Sequence, residues 1–303
     1  MLNFLNIFNK KKTIIVTHNA TFHADDIFSC ATLSIMLESE GKSVRIIRTR
    51  DQNKIDFADY VVDVGGIHDP SKNRFDHHQK GGAGMRDNEV PYAAFGLVWK
   101  AYGEKVCGDK IVAQRIEEKL VQGIDANDNG IDTFELKGEA MPYTIQDLFY
   151  SFRPSYTEEL DYDVRFLKLV DLAKEVLLRE IKKNSDLLKA SDIVKRAYAN
   201  SEDKRFVILD GFYPWGETLI EYPSVLYVVF PKLDTWRVEC MRKDKFSFEN
   251  KKPLPASWAG KRDLELAAAT GVKDVTFCHN GRFMIVARTK VAALELVQKA
   301  LAE

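Results

Sequence analysis

The chain has 303 residues, of which 45% are hydrophobic and 29% are charged, and its formal net charge is −1. This composition is typical of a folded globular protein and excludes a disordered chain, and the length allows two domains with separate cores. A nearly neutral chain lacks the broadly basic surface of a protein that slides on duplex DNA, so a nucleic-acid contact would need a local groove.

Strands and helices alternate in the first half of the predicted fold. The apolar patterns predict, in order, strand 13–17, helix 26–40, strands 44–47 and 60–64, and helices 92–102 and 110–123. An acidic loop, 125–130, follows the last of these helices. Because alternating strands and helices form parallel sheets, we expect an N-terminal α/β domain with a mainly parallel sheet. Ligands collect at the carboxyl ends of such strands, so polar residues there are candidates for a site.

The second half of the chain predicts a long helix and a smaller α+β domain. Beyond helix 159–200, the patterns predict strands 205–209, 224–230 and 236–241, helix 261–270, a hairpin at 280–281 and helix 290–301. We therefore predict a catalytic domain in residues 1–158, a connecting helix in 159–203 and a substrate-binding domain in 204–303.

A dense polar cluster lies between the first predicted strand and its helix. Residues 18–26 contain His18, His23, Asp25 and Asp26. Burying these carboxylates together is costly, because of desolvation and mutual repulsion, unless a cation neutralises them. We interpret His18, His23 and Asp25 as metal ligands. The structural alternatives are a solvated loop histidine for His18 and a carboxylate that favours the helix N-terminus for Asp26.

A second cluster is formed by Asp76, His77 and His78. Adjacent histidines do not normally share one ligation geometry, so we expect one to bind metal and the other to face the substrate. The carboxylate of Asp76 is expected to hold an imidazole in the required tautomer by a hydrogen bond. Four of the six histidines lie in the two clusters, which strengthens the metal interpretation of both.

Two further stretches supply carboxylates for the same site. Asp63 ends an apolar strand, and the acidic loop offers Asp125 or Asp128, for which a turn-forming role is the alternative. Mixed histidine and aspartate ligands suit manganese first, with magnesium, cobalt or zinc as alternatives. These residue types alone predict metal-assisted hydrolysis, because two cations about 3.5–4 Å apart activate a water molecule and stabilise the reacting oxygens.

The remaining sequence signals concern the compartment. The four cysteines are far apart, which disfavours a structural zinc site or a disulfide framework and indicates a reducing compartment. Residues 1–8 lack a small-residue cleavage site and do not predict a signal peptide. No apolar run approaches the roughly 18 residues of a membrane span. We expect a cytoplasmic protein with no membrane contact.

Several motifs resemble the Myg (melanocyte proliferating gene) family, a branch of the DHH phosphoesterase superfamily. They cover nearly the whole chain, and occur at residues 17–25, 62–70, 74–79, 96–99, 125–130, 214–215, 258–266 and 277–279. The chain differs from the family pattern at Ala93-Ala94, where two serines are common, and at 282–285, where a glycine-rich stretch is common.

The resemblance implies a division of the ligands between two ions. His18, His23 and Asp63 would hold one ion, and Asp63 would bridge to the other. The ligands of that second ion would be Asp25, Asp63, His77 and one of Asp125 and Asp128. By the same resemblance, His78 would contact the scissile phosphate or donate a proton.

The resemblance also implies the reaction, which is 3′–5′ exonuclease activity on RNA or single-stranded DNA. His279, Arg282, Lys261 and Arg262 are the candidates for gripping a phosphate or a strand end. One alternative is a phosphoesterase for pyrophosphate, a cyclic dinucleotide or a very short oligonucleotide. Another is a metal-stabilised binding protein without turnover. The oligomeric state stays open, with a homodimer as one alternative.

Overall fold

The computed structural model describes residues 12–136 and 138–303. The chain divides into two compact units, Met1–Asn184 and Ser185–Glu303, and the division falls inside a long helix. The prediction about a signal peptide concerns residues 1–8, which lie outside the described ranges. The division into domains 1–158, 159–203 and 204–303, with their assigned roles, stays a prediction.

The sheet of the first unit has five strands in the order β2-β1-β3-β5-β4. The strands are β1 (Thr13–Thr17), β2 (Val44–Arg48), β3 (Tyr60–Val62), β4 (His68–Asp69) and β5 (Arg74–Phe75). All neighbouring strands are parallel except β4 and β5, which are antiparallel. The predicted mainly parallel sheet is therefore confirmed, and the short strands β4 and β5 escaped prediction because two residues carry no detectable period.

Helices cover this sheet and form the core with it. They are α1 (Ala24–Ser39), α2 (Gln52–Phe57), α3 (Ala94–Cys107), α4 (Lys110–Ile116), α5 (Gln122–Asp128) and α6 (Ile145–Tyr150). The ring of Phe28 on α1 stacks on both Phe95 of α3 and Phe149 of α6, with ring centroids 5.1 Å and 5.6 Å away. These fully buried rings fix α1 at its N-terminal half, next to the polar cluster.

The predicted acidic loop 125–130 is wrong for its first four residues, which are helical. A π-helical turn, Glu117–Val121, continues α4 into α5, and the helix ends only at Asp128. Aspartate and asparagine are weak helix formers, so the sequence favoured a turn. Burial of the Asp125 carboxylate against Arg86 overrides that preference.

The second unit is α+β, as predicted. The long helix α7 (Tyr162–Ala199) enters it, and its sheet has the order β6-β7-β8-β10-β9. Its elements are β6 (Phe206–Ile208), α8 (Gly216–Leu219), β7 (Tyr227–Lys232), β8 (Thr235–Cys240), α9 (Asp263–Thr270), β9 (Val275–Cys278), β10 (Met284–Ala287) and α10 (Lys290–Ala302). Only β6 and β7 are parallel. The hairpin predicted at 280–281 joins β9 to β10.

Among the described helices, none combines the length and apolar character needed to cross a membrane.

Candidate metal centre

The candidate site lies where three neighbouring parallel strands end. His18 directly follows β1, Asp63 directly follows β3, and Asp76 directly follows β5. Because β1 pairs with β3 and β3 with β5, their carboxyl ends deliver these side chains to one edge of the sheet. The backbone of Asp63 has φ 54°, a left-handed conformation that non-glycine residues rarely adopt. Its N–H donates to the carbonyl oxygen of Phe75 at 3.0 Å, which ties the β3 and β5 ends together.

His18 occupies the buried end of the cluster, between two carboxylates. Its Nε2 lies 3.1 Å from Oδ2 of Asp26 and 3.1 Å from Oδ2 of Asp63. Its Nδ1 lies 3.0 Å from the carbonyl oxygen of Asn19, which can only accept a hydrogen bond. That contact leaves Nε2 as the atom facing the carboxylates, which is the usual arrangement of a metal-binding imidazole.

His77 and Asp128 form the opposite side of the cluster. Nε2 of His77 lies 3.3 Å from Oδ1 of Asp63 and 3.2 Å from Oδ2 of Asp128. Nδ1 of His23 lies 4.0 Å from Oδ1 of Asp128. Asp128, at the end of α5, thus faces both His23, which precedes α1, and His77, which follows β5.

Asp25 is the least compensated group of the cluster. It is fully buried, and neither of its carboxylate oxygens accepts a hydrogen bond from the described residues. Potential ligand atoms lie within 4.8 Å of one another in three groups: His18, His23 and Asp63; Asp63, His77 and His78; and His23, Asp25 and Asp128. A buried carboxylate without donors, surrounded by oxygen and imidazole nitrogen atoms, suits a divalent cation.

The pKa values show how strongly these groups interact. Burial raises the pKa of Asp25 well above its usual value, and the carboxylates of Asp63 and Asp128 raise it further. Burial acts to lower the pKa of His18, but its contacts with Asp26 and Asp63 outweigh that effect and raise the pKa to about 10.

His77 and Asp63 show the same competition. Burial acts to lower the pKa of His77, but Asp128 and Asp63 raise it to about 10. Burial acts to raise the pKa of Asp63, but its contacts with His18 and His77 leave the pKa below its usual value. The site therefore holds surplus negative charge that protons partly neutralise and that cations would neutralise in their place.

The structure does not bring Asp125 into this cluster. Its Oδ2 pairs with Nη2 of Arg86 at 2.8 Å, and its Oδ1 accepts the N–H of Gly96 at 2.9 Å. Burial raises the pKa of Asp125 to about 7 even though Arg86 acts to lower it. Both oxygens are therefore engaged away from the cluster, and of the two aspartates that the sequence left open, Asp128 is the one that faces the histidines.

Asp76 holds His78, as the sequence suggested. Oδ1 of Asp76 lies 2.8 Å from Nδ1 of His78 and accepts the His78 N–H at 3.1 Å, while Oδ2 accepts the N–H of Gly66 at 2.5 Å. The hydrogen bond with Asp76 raises the pKa of His78 above its usual value. The His78 side chain is 62% exposed, whereas that of His77 is 9% exposed, so His78 is the histidine accessible to a substrate.

Sequence reasoning missed residues at the edge of the cluster. The ring of Tyr150 stands edge-on to His23, with centroids 6.2 Å apart, and the guanidinium of Arg153 lies 3.8 Å from the Tyr150 ring centroid. Asp26, which the sequence left between ligand and helix-end roles, contacts His18 and also accepts the His23 N–H at 3.0 Å. No sequence signal marked Tyr150, because it ends the short helix α6 far along the chain from the histidines.

The predicted substrate-binding residues lie together in the second unit. The segment with Lys261 and Arg262 runs beside β9, where the Cys278 N–H donates to the Lys261 carbonyl oxygen at 3.0 Å. His279 and Arg282 lie in the turn that follows β9. Some of these side chains already have partners: Nζ of Lys261 lies 2.8 Å from Oε1 of Glu265. Their role in binding a substrate stays a prediction.

Comparison with known proteins identifies the family. The family model MYG1_exonuc, described as "Uncharacterised protein family (UPF0160)", matches residues 14–301. The chain belongs to this family. The resemblance seen in the sequence motifs is therefore confirmed.

Relatives within the MYG1 family span nearly the same length. The chain is 31% identical to a MYG1 protein of Caenorhabditis elegans over 95% of this chain and 95% of the relative. It is 29% identical to a protein named MYG1 exonuclease of Homo sapiens, over 95% of this chain and 86% of the relative. Among solved structures, RecJ of Thermus thermophilus in complex with Mn2+ matches 95% of this chain and 51% of that chain at 11% identity. Its TM-score of 0.31 is too low to add to the family assignment.

Proposed function

We propose that this member of the MYG1 family is a metal-dependent phosphodiesterase that acts as a 3′–5′ exonuclease on RNA or single-stranded DNA. The observation that carries the proposal is the convergence of imidazole and carboxylate ligand atoms in three groups, which are linked through His23 and Asp63. One group contains the buried Asp25, whose oxygens accept no hydrogen bond from the described residues. Relatives named MYG1 exonuclease support the choice of a nucleic-acid substrate.

Two divalent ions, manganese first, would be held by residues that the structure brings together. His18, His23 and Asp63, whose ligand atoms lie within 4.8 Å of one another, are the proposed ligands of one ion. Asp25, Asp63, His77 and Asp128 are the ligands proposed for the other ion. The contacts of His77 with Asp63 and Asp128, and the grouping of Asp25 with Asp128, support that set. When bound, such ions supply an activated water molecule and neutralise charge on the phosphoryl oxygens. Asp125, which is paired with Arg86, is left out of the ligand set.

His78 and Asp76 are the proposed catalytic pair of side chains. Because Asp76 raises the pKa of His78, a larger fraction of that imidazole carries a proton near neutral pH than in water. An exposed imidazolium beside Asp63 can donate a hydrogen bond to a phosphoryl oxygen or a proton to the departing oxygen. Asp76 fixes the ring orientation, since it accepts from both the ring and the backbone of His78.

The second unit is the proposed site for the nucleic-acid strand. His279 and Arg282, at the turn after β9, and the neighbouring Lys261 and Arg262 offer cationic or hydrogen-bonding groups for phosphates. Residues 204–303 are thus the proposed substrate-binding domain and residues 1–158 the proposed catalytic domain, with 159–203 as the connecting helix.

The test is hydrolysis of single-stranded RNA and DNA of several lengths, labelled at the 5′ or 3′ end, with added manganese. We expect the 5′-labelled strands to shorten stepwise and the 3′-labelled strands to release their label at once. Asp63→Asn should abolish both the shortening and the release of label. Asp87→Asn, the same change at an exposed aspartate, should leave both unchanged.

Other outcomes assign other functions. Cleavage restricted to dinucleotides, cyclic dinucleotides or pyrophosphate would replace the exonuclease with a small-molecule phosphoesterase. Manganese binding without turnover of any phosphoester would contradict an enzymatic role and indicate a metal-stabilised binding protein.

A further inference from the structure

The loop between β1 and α1, residues 18–23, is held by three arginines from outside the metal centre. Each arginine donates to a different backbone carbonyl oxygen of this loop. The bonds are Arg50 Nη1 to Asn19 at 2.6 Å, Arg48 Nη2 to Ala20 at 2.7 Å, and Arg153 Nε to Phe22 at 3.0 Å. Guanidinium groups from two separate regions of the chain thus fix the loop that carries both His18 and His23.

The loop needs such support because its own backbone is unfavourable. Ala20 has φ 69°, in the left-handed region that residues with a Cβ rarely adopt. Asn19, Ala20 and Thr21 are exposed, so burial does not hold this part of the loop. Charge-assisted hydrogen bonds to its carbonyl oxygens are stronger than neutral ones and oppose its relaxation.

One of these bonds leads directly to a proposed metal ligand. The carbonyl oxygen of Asn19 accepts from Arg50 Nη1 and also lies 3.0 Å from Nδ1 of His18. A second bond, from Arg50 Nη1 to Oδ1 of Asn19 at 3.0 Å, holds the same residue by its side chain. We infer that Arg50 is a positioning residue for His18, and that it acts through the Asn19 carbonyl group to keep Nε2 directed at Asp26 and Asp63.

Arg50 can be changed with less risk to the fold than Arg48. The Arg48 side chain is only 2% exposed, pairs with Asp163 at 2.8 Å and lies over the ring of Phe166. Arg50 is exposed, and it follows the end of β2. Arg45, an exposed arginine within β2, offers a matched control for the loss of one positive charge.

The inference rests on the metal centre of the proposed function and not on the nuclease reaction. Without the guanidinium, the Asn19 carbonyl group can turn towards water, and His18 loses its fixed acceptor. Loss of a partner that orients a metal-binding histidine typically weakens metal affinity by about 10–100-fold.

The experiment measures manganese binding by isothermal titration calorimetry on the full chain. We expect Arg50→Gln to weaken affinity by about tenfold or more, Arg45→Gln to leave it unchanged, and Arg50→Lys to restore part of it. In protein labelled with ¹⁵N-histidine, the Nδ1–H signal of His18, assigned by its loss in His18→Gln, should broaden by solvent exchange in Arg50→Gln only.

Two results would overturn the inference. The first is equal manganese affinity and an equal His18 signal in Arg50→Gln and Arg45→Gln. The second is an unchanged affinity with a raised KM for RNA, which would make Arg50 a substrate contact. If the unaltered chain binds no manganese, the proposed function fails, while the His18 signal still decides whether Arg50 positions the ring.

Discussion

At the scale of single residues, protons and metal ions would compete for the same side chains of the candidate metal centre. The carboxylates around His18 and His77 outweigh the effect of burial and raise both pKa values to about 10, so both imidazoles carry a proton at neutral pH when no metal is bound. An imidazole must lose that proton before it can bind a cation. Metal affinity therefore depends on pH in a direction that the geometry fixes.

Manganese affinity is expected to rise by about tenfold for each pH unit and each proton displaced, between pH 6 and 8.5. Calorimetry in two buffers of different ionisation enthalpy counts the protons released. The stability of the metal-free protein should show the opposite trend. The stabilisation that protonated His18 and His77 gain from their carboxylate neighbours is complete below pH 6.5, the ordinary pKa of histidine. It is lost as the pH rises through about 10, the pKa of both side chains in the folded protein. A metal affinity that is flat from pH 6 to 8.5 would mean that the imidazoles are already neutral.

Replacing Asp25 should separate stability from metal binding. Asp25→Asn removes a buried carboxyl group whose ionised form is opposed by burial and by the carboxylates of Asp63 and Asp128, so the metal-free protein should need more urea to unfold. The same variant should lose much of the stabilisation by manganese, which for a bound ligand at about 100 times its Kd is about 2.7 kcal/mol. Urea unfolding with and without manganese measures both, and Asp87→Asn is the control.

A lower metal-free stability for Asp25→Asn would contradict this assignment, because it would show that the carboxylate is compensated by the protein alone.

The residues of the candidate site were largely predictable from sequence, since imidazoles and carboxylates crowd into short loops after strands. The choice between Asp125 and Asp128 was not predictable. It depends on Arg86, whose contact with Asp125 crosses 39 positions of the chain.

At the scale of elements, helix α5 is anchored by a buried ion pair so that its last residue can face the cluster. Asp125, one turn before Asp128, binds Arg86, and Arg86 Nε also lies 2.5 Å from Oε1 of Glu117 in the preceding π-helical turn. Gly96 on α3 completes the arrangement, because its N–H donates to Asp125 and its lack of a side chain leaves room for the carboxylate.

Gly96→Ala should disrupt this anchor. A Cβ at Gly96 would lie 1.8 Å from Oδ2 of Asp125 and 2.6 Å from Nη2 of Arg86, so the buried pair must separate. We expect a loss of about 3–5 kcal/mol in the free energy of unfolding, as for other broken buried pairs, together with weaker manganese binding through Asp128. Thermal unfolding and calorimetry measure the two effects.

Gly123→Ala is the matched control, since Gly123 lies on α5 and a Cβ there meets nothing within 4 Å. It should leave stability unchanged or raise it by up to about 1 kcal/mol, because alanine favours helices over glycine. Equal stability of the two variants would show that the ion pair can shift without cost.

The long periodic elements were predictable, and the short ones were not. The predicted helix at 159–200 agrees with α7 (Tyr162–Ala199) to within three residues at either end, since a strong apolar stripe marks it. Strands β4 and β5 have two residues each, and α6 has six, which is too short for a period to appear. Helix α5 resembles a loop in sequence because its aspartates and asparagine gain their helical state from tertiary contacts.

At the scale of the whole molecule, metal and nucleic acid should protect different parts of the chain. All proposed ligands belong to the unit Met1–Asn184, and the proposed strand-binding residues belong to the unit Ser185–Glu303. In hydrogen–deuterium exchange, manganese should slow exchange in loop 18–23 and α5 but not in residues 259–283. A non-hydrolysable RNA added with manganese should slow exchange in 259–283 as well.

His279→Ala is the matching variant, and it should raise KM for RNA while leaving manganese affinity unchanged. Absence of RNA protection in 259–283, with KM unchanged in His279→Ala, would remove the C-terminal unit from substrate binding.

At the scale of the whole molecule, the sequence predicted an α/β unit, a long helix and an α+β unit, but the structural division falls between Asn184 and Ser185, within the helix. A continuous helical stripe gives no signal of where one core ends and the next begins.

The ligand positions along the chain also bear on how the protein is made. His18 comes early, and Asp128 lies on a helix that is synthesised more than a hundred residues later. Contacts between positions so distant in sequence form late, after much of the loop-closure entropy has been lost. A nascent chain therefore cannot assemble the full set of proposed ligands until α5 has left the ribosome, so both metal ions would be bound only after that point.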